Sequence, residues 1–253
     1  MTTATHLTRG PLGSIERTPG ATMATGTRIL HVVRLQFINR YTFLWVPLLI
    51  TGAAVLISLA IYAMVGSDDP MYGGAGQAPL WYYLAMGVQA MSLTFPFSQA
   101  MSITRREFFL GTALAAAVSS TALAGFYVLL GIVEQATDGY GLNGYISLLP
   151  WVWSSGWAGA AALVFMLTMF FFFAGFWAAT LYRRSGTMAV TLALVGLAVV
   201  LLAVVFGITR MEAWPRVLET FGTMGPFGAA GILACAALVA AAGSWLTLRR
   251  AMH

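Results

Sequence analysis

Long apolar runs, broken at intervals by short clusters of arginine, glycine and proline, dominate the chain from residue 41 onward. A helix rising 1.5 Å per residue needs about 20 such residues to cross a hydrocarbon core about 30 Å thick. On that measure the runs predict six spanning helices, at 43–65, 80–99, 108–133, 158–181, 187–208 and 227–248. Ahead of them, residues 27–40 follow a different, amphipathic period. Ile29, Leu30, Val33 and Phe37 share one helical face, while Arg28, His31, Arg34 and Asn39 fall mostly opposite and Leu35 interrupts the polar side. Such a basic helix lies along a headgroup layer, its arginines toward anionic lipid. Residues 1–26 are rich in Thr, Gly and Pro without a continuous apolar core, so they read as a disordered tail and not as a signal peptide. The predicted architecture is an all-α polytopic membrane protein of six transmembrane helices preceded by an interfacial helix.

The punctuation between the runs refines the picture. Pro47 falls in the first turns of the first span, where it does least harm, and Asp68, Asp69, Pro70 and four glycines mark 66–79 as an irregular loop. Trp81, Tyr82 and Tyr83 form an interfacial belt at the head of the second span. That span is the most polar: Gln89, Ser92, Thr94 and Ser98 lie in it with Met86, Met91 and Phe95, a mixture suited to a pathway lining or a helix-packing face, and Pro96 is placed to kink its end. In the third span Ala113, Ala117, Thr121 and Gly125 recur at every fourth residue, a spacing that lets helices approach closely. Glu134 stands at its far end, at headgroup level, before a glycine-rich segment and a Trp-rich shoulder at 150–157. Four successive phenylalanines, Phe170, Phe171, Phe172 and Phe173, cover a full helix circumference and are lipid-facing or core filling. Residues 210–226 form an excursion of short interfacial or re-entrant helices with breaks expected at Pro215 and Gly222.

The polar corner between the second and third spans reads Ser-Gln-Ala-Met-Ser-Ile-Thr-Arg-Arg-Glu-Phe-Phe. One arginine at the bilayer centre costs about 2.5 to 3.5 kcal/mol while a Leu or Phe returns only about 0.3 to 0.6, so Arg105 and Arg106 bring the chain to the surface here. Thr104 and Glu107 have the spacing of a capping box, in which the hydroxyl takes a free amide of the first turn and the carboxylate reaches back. A new helix is expected to start at Arg105. Taken singly, these residues are satisfied as a helix cap with two snorkelling arginines.

Composition agrees and sets orientation. Of the residues 59% are hydrophobic and 8% charged, and the net charge is +5. The basic residues, all thirteen of them arginine, are not gathered on one soluble surface as nucleic-acid binding requires. Eleven lie on the side of the tail, the corner, the Tyr182–Gly186 turn and the C-terminus, against Arg210 and Arg216 opposite, which predicts both termini in the cytoplasm. Lysine is absent, which removes a P-loop and with it ATP hydrolysis by that route. His6, His31 and His253 lie outside the spans, and every Asp and Glu sits at or beyond a span end, which argues against haem, a buried metal, a Ser-His protease and an ion-coupled carrier. The lone Cys235 excludes an internal disulfide and is expected to pack. Neither catalysis nor energy coupling is expected of this chain itself, so energy must come from a partner.

Six spans, a leading amphipathic helix and the Ser-Ile-Thr-Arg-Arg-Glu-Phe-Phe-Leu-Gly-Thr corner together resemble the membrane subunits of type-2 ABC exporters, over residues 27–250. The matching positions of the corner are Thr104, Arg105, Arg106, Phe108, Phe109 and Gly111. The resemblance implies a type V exporter half that pairs with a second permease, as a homodimer or a heterodimer, and docks a separate cytoplasmic ATPase that holds ATP and Mg. It implies that Arg28, His31, Arg34, Thr104, Arg105, Arg106, Glu107 and Phe108 belong to the surface gripped by the ATPase. It implies a pathway along spans two and five, with Met86, Gln89, Ser92, Phe95, Leu194 and Val199 near substrate, and an extracellular gate at Trp214, Pro215 and Phe221. The weakly polar second span disfavours a charged sugar polymer and leaves an amphiphilic drug, lipid or peptide. The competing reading is a non-transporting membrane partner: an assembly, sensor or immunity component. A secondary carrier ranks last for want of a buried charge.

Overall fold

The computed structural model describes residues 33, 41–67, 69–101 and 103–250, the side chains of 248–250 excepted. The expected interfacial helix, with Arg28, His31 and Arg34, lies outside the described residues apart from the helical Val33. The rest is helical except for two short strands and their turns. A wide turn at Tyr41–Trp45 leads into α1 (Val46–Val65), which ends on Gly66 in the left-handed conformation, φ 60°. Strand β1 (Met71–Tyr72) and a tight turn at Gly74–Gln77 precede α2 (Ala78–Gln89). A widened turn, Ala90–Thr94, continues α2 into α3 (Phe95–Ala100), so helix runs without interruption over 78–100. After the corner come α4 (Arg105–Ala136), a turn at Gly139–Asn143, strand β2 (Gly144–Tyr145), α5 (Gly156–Arg210) and α6 (Trp214–Arg250).

Among the described residues four helical stretches are long and apolar enough to cross a membrane: Tyr41–Val65, Arg105–Ala136, Gly156–Arg210 and Trp214–Thr247. The chain is a multi-pass, all-α membrane protein. Two of these stretches are not continuous helix. Gly186 interrupts α5 at φ 74°, ψ −175°, and Gly225 interrupts α6 at φ 64°, ψ −176°. Both conformations lie in the region only glycine enters without strain. The expected breaks at Pro215 and Gly222 are therefore displaced: Pro215 sits in the first turn of α6, where a missing amide proton costs nothing, and Gly222 remains helical. The chain turns instead at Met211, Glu212 (φ 49°) and Ala213 and again at Gly225, just before Pro226.

The core lies where α2, α4 and α5 meet, with α6 alongside. Tyr83, Met86, Phe108, Phe172 and Phe176 are almost wholly buried there, with Ala115 and Ala116 between them. Two glycines set the closeness of α2 and α5. A Cβ added to Gly87 would stand 2.0 Å from the Phe172 carbonyl oxygen, and one added to Gly175 would stand 2.0 Å from that of Leu84. The backbones therefore touch in both directions. Of the four phenylalanines, Phe172 and Phe173 fill the core while Phe170 and Phe171 are half-buried. The small residues by which α4 packs are Gly111, Thr112, Ala115, Ala116, Ser119 and Ser120. The Ala113, Ala117, Thr121, Gly125 row flanks that face: Ala113 is half-buried against the core and Ala117 half-buried, while Thr121 and Gly125 are exposed and Gly125 has nothing near the place of its missing Cβ. Cys235, expected to pack, is exposed on α6.

Candidate functional site

At the corner, the sequence dictates the local structure closely. Thr104 is extended (φ −71°, ψ 150°), its hydroxyl accepts from the Glu107 amide at 3.3 Å, and the Glu107 carboxylate accepts from the Thr104 amide at 3.0 Å. Both halves of the box are closed, so α4 begins at Arg105 without a frayed turn. Arg106 and Thr104 are exposed and Arg105 half-exposed, whereas Glu107 and Phe108 are buried. Phe108 packs edge-on against Phe95 at 5.2 Å between centroids and against Phe176 at 6.5 Å, and Phe109 meets Trp245 of α6 at 5.5 Å. Phe108 is thus a core wedge and no part of an exposed surface. The corner's exposed part is Thr104, Arg105 and Arg106, and behind it two aromatic rings tie the start of α4 to α3, α5 and α6.

Two prolines leave backbone carbonyls short of a donor, and each is answered from another helix. Pro96 has no amide proton for the Ser92 carbonyl four residues earlier, and the turn at Ala90–Thr94 is widened to carry it. The Arg183 guanidinium, at the far end of the first half of α5, donates to that carbonyl at 3.0 Å. Pro47 stands in the same relation to Phe43, whose carbonyl accepts from the Ser119 hydroxyl of α4. Ser119 is itself 2.8 Å from the Tyr83 hydroxyl. Sequence alone located both prolines but not the donors, since Arg183 is 91 positions from Ser92 and Ser119 is 76 from Phe43.

The residues expected along a pathway separate. Met86 and Phe95 are buried in the core. Gln89 is exposed, Ser92 half-buried, and Leu194 and Val199 lie on a broad exposed apolar face that covers almost all of 187–206. At the expected gate Trp214 donates from Nε1 to the Thr209 hydroxyl at 3.0 Å, and Trp151 donates from Nε1 to the Phe221 carbonyl at 3.1 Å. Trp214, Pro215 and Phe221 are all exposed.

The end of the bundle opposite the corner holds a feature the sequence reading missed. β1 and β2 pair in parallel, Met71 with Gly144 and Tyr72 with Tyr145. Glu134 is wholly buried beneath them. Its carboxylate accepts from the amides of Ile146 (3.1 Å), Ser147 (2.9 Å) and Leu148 (2.7 Å). It is a staple holding 146–148 onto the far end of α4. Backbone amides, invisible in a residue pattern, supply the compensation that makes such burial affordable. Trp153 closes over the staple, donating from Nε1 to the Ser147 carbonyl at 2.8 Å and lying where a Gly131 side chain would be. Burial, and secondarily the Glu134 charge, push the Tyr140 hydroxyl of the neighbouring turn up to about 12. Among the described residues no group of His, Cys, Asp and Glu is arranged to hold a metal.

No protein-family model, curated protein or solved structure matches the chain.

Proposed function

We propose that this chain is the permease subunit of an ATP-driven ABC exporter in a bacterial cytoplasmic membrane. It works with a separate ATPase and a second permease copy, moving an amphiphilic drug, lipid or peptide outward. The observation that carries the reading is the corner: an exposed Thr104-Arg105-Arg106 face directly continuous with a 32-residue helix and wedged by Phe108 and Phe109 into its neighbours. A push on such a helix start tilts the whole helix, which is what a coupling surface has to do. The layout fits six crossings with both termini inside. The 55 residues of α5 would run about 80 Å if straight, more than twice a hydrocarbon core, so a turn at Gly186 returns the chain and makes two crossings of it. Residues 78–100 add another, short of a single regular helix only because of the turn that accommodates Pro96. The exposed apolar face of 187–206 is where a second copy would sit. The absence of lysine assigns ATP and Mg to the partner.

The test is purification from native membranes in mild detergent with assay of vanadate-sensitive ATP hydrolysis. A stoichiometric P-loop subunit whose turnover falls at least tenfold in the double variant Arg105→Ala, Arg106→Ala, with assembly intact, supports the reading. A chain recovered without any ATPase, under conditions where a known complex survives, refutes it in favour of a non-transporting membrane partner.

A further inference from the structure

Between the corner-distal parts of α1, α2, α4 and α5 lies a cavity of about 220 Å³, with a wall supplied by residues 146–152 and a mouth at the Gly74–Gln77 turn. Its lining is aliphatic for the most part, including Leu80, Leu123, Ile146, Leu163 and Leu167. Three side chains depart from that. Gln77 is exposed at the mouth. The Thr51 hydroxyl is already spent, donating to the Pro47 carbonyl at 2.8 Å. Tyr127 is 7% exposed, and its hydroxyl makes no hydrogen bond among the described residues. Gly76 keeps the ring accessible: a Cβ there would come within 3.4 Å of Tyr127 Cε2 and 3.9 Å of its hydroxyl oxygen.

The Tyr127 hydroxyl is not sealed in but opens onto the cavity, where a phenol can bond whatever occupies it. Water entering by the mouth is not firmly held, since an ordered water needs two to four polar partners and the lining side chains offer one unspent hydroxyl besides Gln77. Nor does a bare hydrocarbon answer the hydroxyl. An engineered apolar cavity of about 150 Å³ takes benzene, so this one has room for a single ring or short aliphatic body plus one oxygen. We infer that the cavity between α1, α2, α4 and α5 is a binding site for a compact amphiphile, phenol-like in size, whose one oxygen bonds the Tyr127 hydroxyl. The site is built within one protomer and stands apart from the exporter reading, which places substrate along α2 and the second half of α5.

The probe is a photoreactive phenol carrying a trifluoromethyl-diazirine on its ring, used on the detergent-purified full-length chain, with 4-methylphenol as competitor and labelled peptides located by mass spectrometry. Expected is saturable labelling confined to peptides containing 73–80, 123–127, 146–152 and 163–167, competed by 4-methylphenol. Gly76→Leu, which fills the mouth from a half-exposed position, should abolish it. Tyr127→Phe, which keeps the cavity and removes the hydroxyl, should weaken competition about fivefold. Labelling that does not saturate, persists in Gly76→Leu, or spreads over 187–206 overturns the proposal, because it reports partition into detergent or lipid. Saturable labelling indifferent to Tyr127→Phe also overturns it, in favour of a hydrocarbon occupant such as an acyl chain. Should Gly76→Leu fail to fold, the Tyr127→Phe comparison decides alone.

Discussion

The crossing of α2 and α5 gives a quantitative test of the fold. In Gly175→Ala the new methyl would stand 2.0 Å from the Leu84 oxygen, 2.8 Å from its carbonyl carbon and 3.1 Å from its Cα. Even a favourable C–H···O contact needs about 3.3 Å between carbon and oxygen, so the helices must part by about 1.3 Å. A gap of 0.5 to 1 Å already forfeits about a quarter to a half of each dispersion well along the seam, and the seam includes Tyr83, Met86, Phe172 and Phe176. Overpacking costs about 1 to 3 kcal/mol. The upper end applies because what must yield is backbone, not a flexible side chain. Replacing glycine within a helix returns up to about 1 kcal/mol, which leaves a net loss of about 2 kcal/mol, or roughly thirtyfold in the folded ratio. Gly207→Ala is the matched control, in the same α5 but outside the 187–206 face and with nothing within 4 Å of the missing Cβ. It should be neutral or slightly stabilising. Unfolding by SDS titration, followed by tryptophan fluorescence, measures both. Equal midpoints for Gly175→Ala and Gly207→Ala would refute the close crossing. The pair Gly87→Ala, Gly175→Ala should cost less than the sum of its members, since helices already parted for one methyl admit the second more cheaply.

Three further predictions follow from the polar contacts. Arg183→Met should destabilise the parent but hardly affect Pro96→Ala, whose restored amide serves the Ser92 carbonyl, so a double-mutant cycle in SDS unfolding should return a coupling of about 1 kcal/mol; zero coupling would deny the exchange of donors. Glu134→Ala orphans three buried amides at about 1 to 3 kcal/mol each, and hydrogen exchange at Ile146, Ser147 and Leu148 should rise at least a hundredfold, with Glu134→Gln intermediate; unchanged exchange would remove the staple. The Tyr140 hydroxyl, raised to about 12 from the 10.0 usual for tyrosine, favours the folded state below pH 10, and that contribution disappears as pH rises through 12. Alkaline absorbance titration should therefore lose one phenolate step near pH 12 in Tyr140→Phe, and Glu134→Gln should move that step lower.

How legible each part was depends on which physics fixes it. Apolar length and arginine placement located α1, α4 and the part of α6 after Gly225 to within a few residues, because the bilayer imposes a length that a sequence must meet. The start of α4 was legible to the residue, since Thr104 and Glu107 satisfy one another within a single turn. What could not be read depended on contacts between distant segments. Which face of α4 packs is decided by α2 and α5, and the Ala113, Ala117, Thr121, Gly125 row marks only the margin of that face because small residues recur on both sides of it. The burial of Glu134 could not be read because the three amides that compensate its carboxylate lie 12 to 14 positions away. The break in α6 fell at Gly225 and not Gly222 because its backbone conformation, and not composition, selects which glycine turns the chain.

The two ends of α4 are held by opposite means, and that contrast bears on how the bundle could move. At the corner the helix is fixed by its own cap and by the rings of Phe108 and Phe109, contacts that carry a displacement to α3, α5 and α6 without breaking. At the far end it is fixed by one carboxylate to the backbone of 146–148, and through Trp151 that segment reaches the Phe221 carbonyl of α6. A tilt begun at Arg105 therefore arrives at Glu134, 29 residues later, as a pull on hydrogen bonds, which are directional and release over a fraction of an ångström, where the aromatic contacts of the corner merely slide. Under the exporter reading this makes Glu134 the point at which a push from the ATPase side would open the opposite face. Loosening it by Glu134→Gln should then leave ATP turnover running while uncoupling it from transport, whereas loss at Arg105 and Arg106 stops both.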